Sequence, residues 1–238
     1  MDILKLLQSI EELVYEVALW VVFIPKTFAR VILRPRWCHS YVAAELNKDP
    51  KQRFDTYMSP ILFWVITGII PHLFVVTYLG NVKQSTVAQE VEWLQFSGFP
   101  LETRLLVIAI VAIGGPLGFS LQILKEKDLA INRESLRSTF YTQCLCFAPA
   151  NFLLLPLVVV ALRFNHISGK WPTSVFAFSL FAFVGWLFYA EVCIIRAELN
   201  IGWSNAVPCC FLYSIRSFLL TVFLEYLVIG IAIGLKWK

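Results

Sequence analysis

Charge is scarce in this sequence. Asp, Glu, Lys and Arg make up 15% of its 238 residues, against roughly 25% in a soluble domain. That shortage excludes a disordered tail, a nucleic-acid module and an ordinary soluble enzyme. The familiar catalytic signatures are missing too. There is no phosphate-binding glycine loop, no His-Glu-x-x-His and no Gly-x-Ser-x-Gly. Cys144-x-Cys146 lacks the spacing of a strong zinc or redox motif. No Asn-x-Ser/Thr sequon, internal repeat or low-complexity segment occurs. No stretch is large enough for a soluble active site of its own; the largest, 1–59, reads as helix and linker. The expectation is therefore no catalytic residue, no metal, no cofactor and no nucleic-acid partner.

Apolar residues are abundant, at 58% without glycine, where a soluble domain reaches roughly 45–50% with glycine included. A helix needs about 20 apolar residues to cross the hydrocarbon core. Five stretches meet that length: 60–79, 105–124, 140–162, 173–195 and a fifth within 207–235. The runs are continuous rather than alternating, which predicts helices and not a barrel. The expected fold is all-α: a polytopic membrane protein with five transmembrane helices (60–235), preceded by amphipathic interfacial helices and linker (1–59).

Lys and Arg set the orientation. Thirteen of the 20 lie on the side of the N-terminal segment and the loops after spans two and four; six lie opposite. The N-terminus is expected in the cytoplasm and the C-terminus outside. The first 20 residues hold Asp2, Glu11, Glu12 and Glu16, which do not suit the apolar region of a signal peptide. The six cysteines fall on the reducing side, so they read as small packing residues rather than disulfides. External loop 80–104, with Trp93 and Phe96, is expected to hold a short interfacial helix.

Residues 3–24 have a helical apolar period that includes Leu6, Ile10, Leu13, Val17 and Val21, opposite Glu11, Glu12 and Glu16. This stripe is expected to dock on the bundle or lie in the membrane interface. Pro25 is expected to end that helix. A short second helix over 26–34 would then place Lys26, Arg30 and Arg34 on one face, toward an anionic leaflet.

The segment PKTFARVILRPRWCHSYVAAELNKDPKQRFDTYMSPILFW (25–64) combines a phenylalanine-containing helix, a proline, a linker and a proline-started span. STFYTQCLCFAPANFLLLP (138–156) has an aromatic-Pro centre. Together with the five-span layout, these segments resemble the Yip family, whose eukaryotic members of the Golgi and endoplasmic reticulum interact with Rab GTPases. The chain lacks their long polar N-terminal region and their Asp-Leu-Tyr-Gly-Pro signature. The resemblance therefore implies a bacterial-type member in an inner membrane. Its role would be non-enzymatic: organising membrane, or binding protein partners within the membrane, with a second copy of itself among the options.

Charges inside a bilayer cost roughly 2.5–3.5 kcal/mol each on insertion scales. Glu191 and Arg216 fall at matching depths, which predicts an ion pair between neighbouring helices. Glu225 is nine residues beyond Arg216, half a turn out of phase, and cannot share that pair. With His72 and a helix break at Gly114, Gly115 and Pro116, it defines an alternative reading, a transporter or channel subunit with a polar path.

Overall fold

The structure is a computed structural model that describes the backbone of residues 3–69, 101–168 and 173–236. Side chains are described for 8–68 (Leu13 excepted), 110–153 (Val111 excepted), 178–224, and 226, 227 and 230. Within that set the chain is all-helical, with no strand among the described residues. His72 and loop residues 80–100, with Trp93 and Phe96, lie outside it.

Helix α1 spans Ile3–Leu33 and runs through Pro25, which corrects the expected interruption. A helical proline removes one backbone donor and crowds the preceding turn, and Pro25 is exposed there. Packing of the C-terminal half against the core holds the helix together: Trp20, Phe23, Ile24 and Phe28 lie against it and Val31 is fully buried within it. A tight turn leads to α2 (Arg36–Leu46). A 3-10 turn, Pro50–Gln52, is capped by Asp49, whose carboxylate accepts from the Lys51 N–H at 2.9 Å. Helix α3 (Pro60–Trp64) begins with Ser59 as N-cap and Pro60 in its first turn, then widens into a π turn over Val65–Ile69.

The remaining helices are α4 (Leu101–Glu126), α5 (Arg133–Ser168), α6 (Thr173–Leu199) and α7 (Trp203–Lys236). Their boundaries have local causes. Asp128 adopts a left-handed φ of 52°, while the N–H groups of Leu129 and Asp128 donate back to the carbonyls of Leu124 and Lys125. This double bond closes a helix C-terminus. Asn132 then starts α5: its side chain accepts from the N–H groups of Glu134 and Ser135, and Ser135 Oγ accepts from the Asn132 N–H.

Helix α5 is the centre of the bundle and packs against α1, α2, α3, α4 and α6. The most extensive pairing is between α4 and α7, and small residues make it possible. A Cβ on Gly118 would sit 2.8 Å from the Ser217 backbone, and one on Gly114 would collide with the Thr221 side chain. Ser217 Oγ donates to the carbonyls of Gly114 and Gly115 at 3.3 and 3.1 Å. Helix α4 is continuous through Gly114, Gly115 and Pro116, so the expected helix break is corrected. The residues form a seam for α7, and carbonyls near the proline find a donor on the neighbouring helix. Among the described residues, two helices hold segments long and apolar enough to cross a membrane, Phe178–Leu199 in α6 and Trp203–Leu224 in α7.

Candidate functional site

One end of the bundle gathers the polar chemistry. There the C-terminal half of α1, all of α2, the linker to α3, the α4–α5 loop and the α6–α7 turn come together. The linker is fastened residue by residue. Thr27, fully buried in α1, accepts from the Met58 N–H at 3.2 Å. Glu45, buried in α2, accepts from the Phe54 N–H at 2.6 Å and from Lys48 Nζ at 2.6 Å. That bond holds Phe54 at a φ of +64°, a conformation costly for a bulky side chain. Arg53 donates to the carbonyls of Lys48 and Leu46 and closes the end of α2.

Above this linker sits an aromatic cluster. Trp37 stacks on Tyr41 at 4.4 Å, and Tyr57 meets both edge-on. Burial, with Glu45 beside it, pushes the Tyr41 hydroxyl well above the usual tyrosine range. Lys26 belongs to this cluster. Its ammonium donates to the Thr56 carbonyl at 3.0 Å and lies 4.5 Å from the Tyr57 ring centroid. Arg30 lies over Trp37 at 5.7 Å. Of the three residues expected to face a leaflet, Lys26 and Arg30 are therefore engaged by the chain's own aromatics, and Arg34 is exposed.

The stripe on α1 is likewise not docked. Ile10, Val17 and Val21 are 49%, 45% and 70% exposed; the side chains of Leu6 and Leu13 lie outside the description. The residues that do dock are farther along, from Trp20 to Val31.

Deeper in, Glu198 near the end of α6 joins three elements. Its side chain is 2% exposed. One carboxylate oxygen lies 2.9 Å from His39 Nδ1 on α2, and the other pairs with Lys127 from the α4–α5 loop. A buried carboxylate held by Lys127 through one oxygen and approached by an imidazole at the other has geometry that a surface pair lacks. His39, Lys127, Glu198, Glu45 and Arg53 were not singled out from the sequence. Charges at helix ends are common, and only the fold brings these together.

Glu191 is also buried, two turns earlier in α6. Its neighbours are Gln143 and the Cys146 thiol of α5. Among the described residues, no hydrogen bond of ordinary geometry reaches either of its oxygens or either polar atom of Gln143. The expected Glu191–Arg216 pair does not form. Helices α6 and α7 are neighbours, but Glu191 faces the interior while Arg216 is exposed. Glu225 belongs to α7; its side chain and His72 lie outside the described residues.

Cys38, on α2, lies near Glu191. Burial, then that carboxylate, pushes the Cys38 thiol far above the usual thiol range. All six cysteines are free thiols. Among the described residues no group of three or more His, Cys, Asp or Glu is arranged to hold a metal ion. The arrangement fastens elements together. No family model matches the chain, and neither a curated protein nor a solved structure matches it.

Proposed function

We propose that the chain is a non-enzymatic, five-span integral membrane protein of the Yip type that organises membrane or binds partners through its N-terminal helix. The membrane part rests on the two apolar helices (Phe178–Leu199 and Trp203–Leu224) and on the five apolar runs. The Yip type rests on the layout of 25–64 and 138–156 alone. One observation carries the mode of action. Helix α1 leaves Ile10, Val14, Tyr15, Val17, Val21 and Val22 exposed on one side, while Trp20, Phe23, Ile24, Phe28 and Val31 fasten its C-terminal half into the core. An apolar face of that length needs a cover, either the membrane interface or a partner protein.

Two measurements test this. Single cysteines placed at Ser9 and Lys238 in a chain freed of its native thiols report the topology. Five spans require that a membrane-impermeant maleimide label them from opposite sides of sealed vesicles; labelling from one side overturns the topology. An environment-sensitive fluorophore at position 17 is then expected to shift to the blue in native membranes. The shift should vanish when Val14 and Val21 become Asp. A fluorophore that reports water throughout overturns the role given to α1.

A further inference from the structure

The outer surface where α2, α6 and α7 meet carries a second arrangement, separate from the buried ion pairs. Arg196, near the end of α6, stacks on Trp203 at the start of α7, 4.3 Å from the ring centroid. Trp203 in turn stacks on Tyr189, with centroids 6.2 Å apart and planes 18° from parallel. Arg36, at the start of α2, is bracketed by two contacts to α6, Ile32 with Trp186 before it and His39 with Glu198 after it. Arg196 Nε is covered and has no hydrogen-bond partner among the described residues, and Arg36 is exposed. Tyr189 and Trp203 remain 51% and 46% exposed although they touch each other. Two guanidiniums and two amphipathic rings thus share one patch.

An apolar track leads away from that patch. On α6, Phe178, Phe181, Gly185 and Tyr189 repeat at helical spacing and are all exposed. A Cβ at Gly185 would meet nothing within 4 Å, so the track has open space there. On α7, Trp203, Val207 and Phe211 are four apart, on one face, and exposed. Cationic groups with hydrogen-bonding capacity at the helix ends, rings beside them and an apolar wall beyond match the three zones of a phospholipid: phosphate, ester region and acyl chains. Arginine suits the phosphate because its planar fork offers two donors at once, and Trp and Tyr favour the headgroup level.

The geometry points to a binding site for one anionic glycerophospholipid, its phosphate between Arg36 and Arg196, its ester region at Trp203 and Tyr189, and its chains along α6 and α7. This rests on the membrane location proposed above and adds a ligand of defined chemistry. The full-length protein in non-ionic detergent can be titrated with phosphatidylglycerol, with phosphatidylcholine of the same chains, and with inorganic phosphate, with bound molecules read by native mass spectrometry. Phosphatidylglycerol is expected to bind at least tenfold more tightly than phosphatidylcholine, and inorganic phosphate is expected not to displace it. Arg36→Gln and Arg196→Gln should each weaken phosphatidylglycerol at least fivefold and leave phosphatidylcholine unchanged. Arg196→Lys, which keeps the charge but loses the planar stack, should fall between. Arg133→Gln, an exposed arginine in the first turn of α5, should change binding less than twofold. Equal affinity for the two lipids, an equal loss in Arg133→Gln, or displacement by phosphate overturns the site. Topology labelling that contradicts five spans while lipid selectivity persists overturns the Yip-type reading alone; lost selectivity with the topology intact overturns the site alone.

Discussion

Glu198 holds side chains from two different elements, so its removal reaches beyond its own helix. Glu198→Gln keeps the shape but leaves His39 and Lys127 without their carboxylate. Both side chains are about a quarter exposed and can turn to water, so the cost falls below the 3–5 kcal/mol of a fully buried broken pair, at about 1–2 kcal/mol. A thermal unfolding series in detergent should show the drop, with Lys127→Met losing less because His39 remains. Cys38 makes a second prediction at this scale. Its thiol is raised in the folded chain, so the neutral form is favoured there. That contribution to stability is complete below the ordinary thiol value near 9.0 and erodes as pH climbs above it. Cys38 should also resist maleimide at neutral pH until the protein unfolds; prompt labelling of the native protein would contradict its burial.

The α4–α7 seam depends on residues without side chains. Gly118→Ala places a methyl 2.8 Å from the Ser217 backbone, which cannot swing aside, so the helices must part. A loss of about 1–3 kcal/mol is expected, the usual cost of overpacking. Gly185→Ala is the control: its Cβ meets nothing, and helix propensity alone predicts a gain of up to about 1 kcal/mol. Thermal midpoints of the two variants should move in opposite directions. Much at this scale was legible beforehand. Continuous apolar runs marked the helices, and Pro60 marked the start of α3, because hydropathy and capping are local properties. Azimuth was not legible. Glu191 and Arg216 matched in depth, but depth does not say which face of a helix turns inward. Pro25 misled for a similar reason: a proline's local cost is visible in sequence, whereas the packing of Phe28 on Phe152 and of Val31 in the core is not.

Across the whole molecule, the described core forms two clusters, one centred on α2, α3, α5 and α6 and one on α4, α6 and α7, while α6 and α7 also carry large apolar residues on their outer faces. Outer faces of that kind suit lipid contact. Substituting Asp at Val14, Val17 and Val21 should therefore leave the thermal midpoint within about 0.5 kcal/mol-equivalent of the parent, since these side chains touch no core. The same changes should release whatever covers that face, measured as loss of the blue shift of a fluorophore at position 9. An unbroken α1 also has a mechanical consequence. Its 31 residues make a rod of about 46 Å. Lys26 and Thr27 pin it to the linker, and the Ile32 carbonyl accepts from Trp186 Nε1 of α6 at 3.2 Å. A rod pinned near one end is a lever. Any pull on its outer turns is delivered, as torque, to the linker and to α6.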